Sequence, residues 1–392
     1  MFSDISMMLR KLILCFFVMY ALSIKGQGSS ICTVIDAETG EPLSFVQIYI
    51  ADGRGALTND EGRFSIEAHP SEVLIITCMG YQRMRIKAGN LPRVLKLTPS
   101  VTELKEVTVY SPQNILQQVI NGMERDYNVY KKVSASYYMR QTYTMSGAMQ
   151  MAEAYLQAAC ANNLRNVEFV AGRMFHGMNG GRKLSLDLSN IHATLSLAPM
   201  IKGESFWRGA VVPLNRKTFH KRYNYEKEFR TTITTQNDVD GRRIMCIHFA
   251  PAKDGTLHHT IMTGDLYVDA DSLYPIGFQG RLDSIKLQAN LDGEDSKGKA
   301  SIQINIAYAR THGYNKVVAI STRLMFEDID CRTIAYNVDN FDVSKDMQTS
   351  RSDNLLVAIW NTRKDADWWH RNFIMPTEVE RRLMQGNGIL LE

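Results

Sequence analysis

From residue 28 onward, apolar positions recur at every second residue in short runs, and Gly, Pro, Asn and Asp punctuate the gaps. Cys32-Thr33-Val34-Ile35-Asp36 is one such run, followed by the turn-forming Ala37-Glu38-Thr39-Gly40-Glu41. Val46, Ile48 and Ile50 alternate with Gln47 and Tyr49, the period of a strand that buries one face. Asn59-Asp60-Glu61-Gly62 reads as a tight turn in which Gly62 takes positive φ without a Cβ clash, and Phe64 and Ile66 restart the alternation. The unbroken Val73-Leu74-Ile75-Ile76-Thr77-Cys78 suits a central strand, and Arg83–Lys87 and Val94–Leu97 end the unit. The pattern predicts a β-sandwich over residues 28–98, small but viable as an independent core.

The pattern changes after Thr98-Pro99-Ser100. Residues 99–110 form a connector, with Leu104-Lys105-Glu106-Val107-Thr108-Val109-Tyr110 as a strand or extended stretch. Ser111-Pro112 has the layout of an N-cap with proline in the first helical position. Ile115, Leu116, Val119, Ile120 and Met123 then share one helical face through Asp126. From Tyr137 the alternation returns. Tyr137–Thr144 is a strand, and Met149–Cys160 reads as a strand or a short helix. Arg230–Thr235 and Arg243–Phe249 flank Asp240-Gly241, a hairpin signal. Thr263–Asp269 with Ser272–Phe278, and Ile302–Tyr308 with Val317–Met325, are further antiparallel candidates, and Ile334–Phe341 is the last strand. A short helix opens at Pro376. Consecutive strands joined by hairpin turns predict a mainly β chain, with residues 111–392 forming a larger α+β domain around a broad antiparallel sheet, possible as a half-barrel.

Two resemblances accompany this reading. The order Val34-Ile35-Asp36, Thr39-Gly40-Glu41-Pro42-Leu43, Val46–Ile50, Thr58–Ile66 and Met79-Gly80-Tyr81 resembles the carboxypeptidase-regulatory-like domain, a transthyretin-like β-sandwich of Gram-negative envelope proteins. Relatives carry an L-x-E-V-x-V stretch directly afterwards, as at Leu104–Val109, which extends the resemblance to about residue 110. It implies a structural and binding module, since the catalytic apparatus of the carboxypeptidases lies in another domain. Gly264, Leu266-Tyr267-Val268-Asp269, Ser272 and Pro275 are similar to a strand–turn–strand unit of lipoprotein-carrier-type half-barrels of the periplasm.

Composition narrows the setting. At 392 residues the chain has room for two or three domains, and 45% apolar content is that of a globular protein. Arg10-Lys11, the eleven apolar residues Leu12–Leu22 and the small or polar residues after them have the layout of a secretory signal over residues 1–26, too short to span a bilayer. Without that leader 42 basic and 40 acidic side chains remain, a balance that gives no case for nucleic acid. No other apolar run is long enough for a transmembrane helix. Five cysteines lie beyond the leader, at wide spacing and without CxxC, which gives no zinc framework. Cys32 and Cys78 either pair in an oxidising compartment or stay as buried thiols.

Candidate chemistry is sparse. His69-Pro70-Ser71-Glu72 has the His-x-x-Glu spacing of a zinc peptidase, but a third ligand and a general base are missing and Pro70 places it in a turn. His258-His259 is adjacent, so on a strand the two rings face opposite ways. Asp265, Asp269, Asp271 and Asp283 lack the spacing of a calcium loop and read as solvated turns. Trp368-Trp369 with His370 offers a sugar-stacking platform or, beside Phe373, Ile374 and Met375, an anchor for the C-terminal helix. No GxSxG, P-loop or dinucleotide pattern occurs. These observations predict neither catalytic residues, metal nor cofactor. The expected protein is exported and non-enzymatic, periplasmic or outer-membrane associated, with the sandwich as a docking module. Its larger domain would bind an apolar or glycan ligand, or an envelope partner, as an accessory to outer-membrane uptake or assembly. The alternative is an envelope hydrolase with dispersed catalytic residues. A receptor barrel of 22 strands does not fit the roughly 280 residues after the connector.

Overall fold

The computed structural model describes residues 29–51, 53–100, 112–145, 148–176, 229–237, 241–252, 263–291, 294–338, 358–359, 362, 369 and 373–385. The leader, the Leu104–Tyr110 stretch, Ser111, His258-His259, Trp368 and His370 lie outside the described residues.

The N-terminal unit is a two-sheet sandwich. One sheet has the order β4 (Arg63–Glu67), β1 (Ser29–Asp36), β7 (Val94–Leu97); the other runs β3 (Gly55–Leu57), β2 (Gln47–Tyr49), β5 (Val73–Thr77), β6 (Met84–Lys87). The alternation seen in sequence is the cause. Val34, Phe64, Ile66 and Leu95 from the first sheet meet Ile48, Leu74 and Ile76 from the second in one apolar cluster. Gly62 sits at φ 70° in the β3–β4 turn, where Asn59 Oδ1 accepts from the Glu61 and Arg63 amides at 3.0 and 2.9 Å. Cys32 and Cys78 are separate free thiols.

The larger unit is a ten-stranded antiparallel sheet preceded by a helix, α1 (Pro112–Tyr130). Its strands are β8 (Ser134–Met145), β9 (Ala148–Ala159), β10 (Arg165–His176), β11 (Phe229–Asn237), β12 (Arg243–Pro251), β13 (Thr263–Asp269), β14 (Pro275–Leu291), β15 (Glu294–Thr311), β16 (Tyr314–Phe326) and β17 (Ile329–Asn337). They lie in the order β10-β9-β8-β17-β16-β15-β14-β13-β12-β11. Two meanders are thus joined by the β17–β8 pair, where Asn337 faces Tyr137 and Asp330 faces Thr144. Among the described residues, β10 and β11 stand at opposite edges of the sheet. The Met149–Cys160 segment is a strand. The last strand starts at Ile329, five residues before the sequence reading placed it.

One face of this sheet carries the main apolar core. Tyr137, Met139, Leu156, Phe249, Leu266, Phe278, Ile302, Ile304 and Ile306 form a continuous core with Ile115, Leu116, Val119 and Met123 of α1. Buried Tyr137 satisfies its hydroxyl by donating to the Val317 carbonyl at 2.6 Å. The helix runs one turn past Asp126 because Arg310 pairs with Asp126 and Tyr130 packs on Tyr314 at 5.1 Å.

The other face carries the sandwich. Phe45 and Leu57 of the sandwich share a cluster with Tyr138, Tyr155, Val170, Ala307, Ala319 and Tyr336 of the sheet, and with Ile374 near the C-terminus. Gly55 permits the approach, since a Cβ there would collide with the Tyr336 hydroxyl and lie 2.7 Å from the Ile48 carbonyl. The C-terminal segment covers edge strand β3: the Leu57 amide donates to the Phe373 carbonyl at 3.0 Å and Leu57 bridges Ile374 in parallel. It ends in α2 (Glu378–Gln385), opened by a capping box in which Thr377 Oγ1 accepts from the Glu380 amide (3.2 Å) and Glu380 Oε2 from the Thr377 amide (2.7 Å).

Candidate functional site

The sandwich closes on the sheet at one end and stands away from it at the other. At the closed end a buried polar network ties three elements together. Arg140 (5% exposed) and Glu153 (1%), on β8 and β9, pair at 2.9 Å; Arg173 of β10 binds the other Glu153 oxygen at 2.6 Å; and the Tyr138 hydroxyl donates to Glu153. Arg140 also donates to the Ile374 and Met375 carbonyls at 2.9 and 3.2 Å and reaches Glu380 at 3.4 Å. Burial alone would raise the Glu153 pKa, but Arg140 and Arg173 hold it below the usual carboxylate value. Nearby, Arg332 of β17 pairs with Asp60 of the sandwich and with Asp330. This end is an anchor.

At the open end the two units enclose a cleft of about 800 Å³, within the range of small-molecule sites. One wall is the sandwich, from β2 and the segment Thr77–Arg83. The other is the sheet, from the β12–β14 region and the ends of β15–β17. Half-buried Tyr49, Tyr81, Tyr267 and Tyr274 line it, with Arg83 on the sandwich wall and Arg242, Arg310 and Lys316 on the sheet wall. No Asp or Glu occurs among the described lining residues; Asp52, between Ala51 and Gly53, lies outside the described residues.

Several of these groups are held from behind. Tyr81 donates to Asp36 Oδ2 at 2.7 Å, while Asp36 Oδ1 accepts from the Glu38 and Thr39 amides at 2.7 and 3.0 Å, fixing the turn after β1. Arg83 donates to the Tyr49 hydroxyl at 2.9 Å. The Arg310 guanidinium lies 3.3 Å over the Tyr274 ring and binds Asp126. Arg242 binds Asp269, whose other oxygen accepts from the Ser272 amide at 2.8 Å and hydroxyl at 2.6 Å. Burial opposes ionisation of Asp269, but Ser272 and Arg242 outweigh it and lower its pKa to about 2. Burial and neighbouring acidic groups push the Tyr81 and Tyr267 hydroxyls well above the usual phenol value, so both stay neutral at physiological pH. Met79 reaches across at the floor, over Gly277.

The candidates read from the sequence fall into ordinary structural roles. His69 and Glu72 lie in the β4–β5 turn, where His69 Nδ1 contacts Ser71 Oγ at 2.7 Å and Glu72 pairs with Arg54. Asp269 and Asp271 hold the β13–β14 turn with Arg242 and Arg243, and Asp283 pairs with Arg281 at 2.7 Å. Trp369 packs on Tyr155 at 4.9 Å and under Arg173 at 4.4 Å, the anchoring alternative. Asp265 receives both His248 Nδ1 (2.7 Å) and the Cys246 thiol (3.8 Å). Burial, reinforced by Asp265, raises the Cys246 pKa to about 12, so the thiol stays protonated and is a poor nucleophile. Among the described residues no group of three or more His, Cys, Asp or Glu is placed to hold a metal, and no helix is long and apolar enough to cross a membrane. The cleft residues were missed in sequence because they are scattered from residue 47 to residue 337.

No curated protein matches the chain. Among solved structures, a DUF1329 family protein from Desulfovibrio piger ATCC 29098 is similar at 11% identity and a TM-score of 0.21, over 58% of this chain and 94% of that one. Residues 32–109 match the model of the CarboxypepD_reg-like domain, and the N-terminal sandwich is a domain of that kind.

Proposed function

We propose that this is an exported, non-enzymatic binding protein of the cell envelope, in which the regulatory-like sandwich is docked on the sheet as one wall of a ligand cleft. The observation that carries the reading is the shared construction of that cleft. Its described side chains come from both units, and the anchor at the opposite end holds the two walls in register. A binding site built between two packed units is preorganised, which lowers the entropic cost of holding a ligand. The layout of residues 1–26 supports export, and the resemblance of the sandwich to envelope modules supports the compartment.

Retention of small molecules tests this. The protein is incubated with an envelope extract, washed, and its bound molecules are identified by mass spectrometry beside the Ala309→Trp variant. Ala309 is an exposed residue of the sheet wall, so a tryptophan there fills the cleft without entering the core. Retention by the protein and loss in the variant is the expected result. Equal retention by both would place the ligand elsewhere. Turnover of a peptide or glycan panel by the purified protein would replace this reading with that of a hydrolase.

A further inference from the structure

We infer that the ligand of the cleft is a single-chain amphiphile, a molecule with one alkyl chain and a polar head. This rests on the cleft being the binding site. The first observation is how apolar and polar side chains are distributed over the lining. Met79 on the sandwich wall and Ile244, Ile276 and Val318 on the sheet wall are half-buried, whereas the polar Gln82, Arg242, Ser272 and Arg310 are exposed. Apolar contact is thus offered inside and polar contact toward solvent. An amphiphile carries the matching pair of surfaces on one molecule, and covering the inner one with an alkyl chain removes apolar area from water.

The second observation is that this inner surface continues an interface the molecule already uses. Met79 and Val318 pack against the cluster of Phe45, Leu57, Tyr336 and Ile374 that holds the sandwich on the sheet. An alkyl chain laid along them extends that apolar seam, and the flexible thioether of Met79 adapts to its shape. The third observation concerns two of the tyrosines. Tyr81 donates its hydroxyl proton to Asp36 at 2.7 Å, and the Tyr49 hydroxyl accepts from Arg83 at 2.9 Å. With these hydroxyls engaged by the protein, the two residues offer an occupant chiefly ring carbon.

Calorimetry with octyl, decyl and dodecyl maltoside, each below its micelle concentration, tests the inference with the head held constant and maltose as the control without a chain. Full burial of one CH2 tightens binding about fourfold, so each two-carbon step is expected to gain about fivefold or more in this open cleft, with a negative heat-capacity change. Ile244→Thr should weaken dodecyl maltoside severalfold with an unchanged melting temperature, and Ile244→Leu should retain it. Ala309→Trp, on the exposed part of the wall, should abolish it. Affinity that is flat with chain length, or maltose binding as tight as dodecyl maltoside, would overturn the amphiphile assignment. No maltoside binding, with extract molecules still retained and lost in Ala309→Trp, would overturn it too while leaving the cleft as the site. If Ala309→Trp changes neither experiment, the cleft itself is the wrong site.

Discussion

The two ends of the sandwich–sheet junction use the same residue types for opposite purposes. At the closed end, Arg140, Arg173, Glu153, Tyr138 and Glu380 satisfy one another and two backbone carbonyls, with Glu153 almost wholly out of solvent. At the open end, Arg and Tyr again dominate, but they border a cleft: Arg242 is held by Asp269, Arg310 by Asp126 and the Tyr274 ring, and Arg83 donates to Tyr49. Packed between the sheet and the C-terminal segment, an Arg–Tyr cluster is a clamp; set around open space, it is the wall of a cleft. The difference teaches that residue type does not assign function here. The space left beside the side chains does.

The strongest way to break this comparison is to remove a polar group from each end. Glu153→Ala leaves two buried guanidinium groups without their carboxylate and is expected to cost about 3–5 kcal/mol, read as a lower denaturant midpoint. Tyr49→Phe at the open end should change stability by no more than about 0.5 kcal/mol. Equal costs would mean that the cleft is as structural as the anchor. Next in size is Gly55→Ala. The new Cβ would press on the Ile48 carbonyl and the Tyr336 hydroxyl, so a loss of about 1–3 kcal/mol is expected. A neutral result would show that the seam yields freely.

How much of this was legible beforehand differs between the units. The sandwich announced itself because its core residues alternate over short, turn-bounded runs, as at Val46–Ile50 and Phe64–Ile66, and its partners are close in sequence. In the larger unit the hairpins around Gly241 and Gly313 were readable for the same reason. β10 was not, because Arg165–His176 mixes small, charged and aromatic residues, being buried on one face by the core and on the other by the C-terminal segment. The β17–β8 pairing joins residues nearly two hundred positions apart, and no local pattern encodes that. The cleft and the anchor were illegible on the same ground. Arg140 meets Glu380 only once the C-terminal segment has folded back on the sheet, and Tyr267 faces the segment around Gly80 only once the sandwich has docked.

Acid separates the ends on a finer scale. Asp269 has its pKa lowered from 3.8 to about 2, so its bonds to Arg242 and Ser272 contribute stability fully present above pH 3.8 and lost as pH falls toward 2. The carboxyl carbon of Asp269, followed by NMR, should therefore titrate near pH 2, and Asp269→Asn should remove that part of the acid response. A midpoint at 3.8 would mean that Arg242 is not held by the turn and that the cleft's sheet wall is less ordered than its geometry implies.

The smallest effect is expected at the rim of the closed end, at Asp60 and Arg332, the ion pair that links the β3–β4 turn to β17. Both side chains are partly exposed, at 52% and 35%, and Arg332 also has Asp330. Solvent screening then limits their coupling to about 0.2–1 kcal/mol in a double-mutant cycle of Asp60→Asn and Arg332→Gln. The value discriminates between two ways of holding the sandwich in place. A coupling within that range leaves docking to the apolar seam of Leu57, Tyr336 and Ile374 and to the Arg140 network. A coupling above about 2 kcal/mol would make the junction electrostatic along its whole length, as for desolvated pairs. The cleft would then be expected to open as salt rises, and the salt sensitivity of ligand binding would report the movement of its walls.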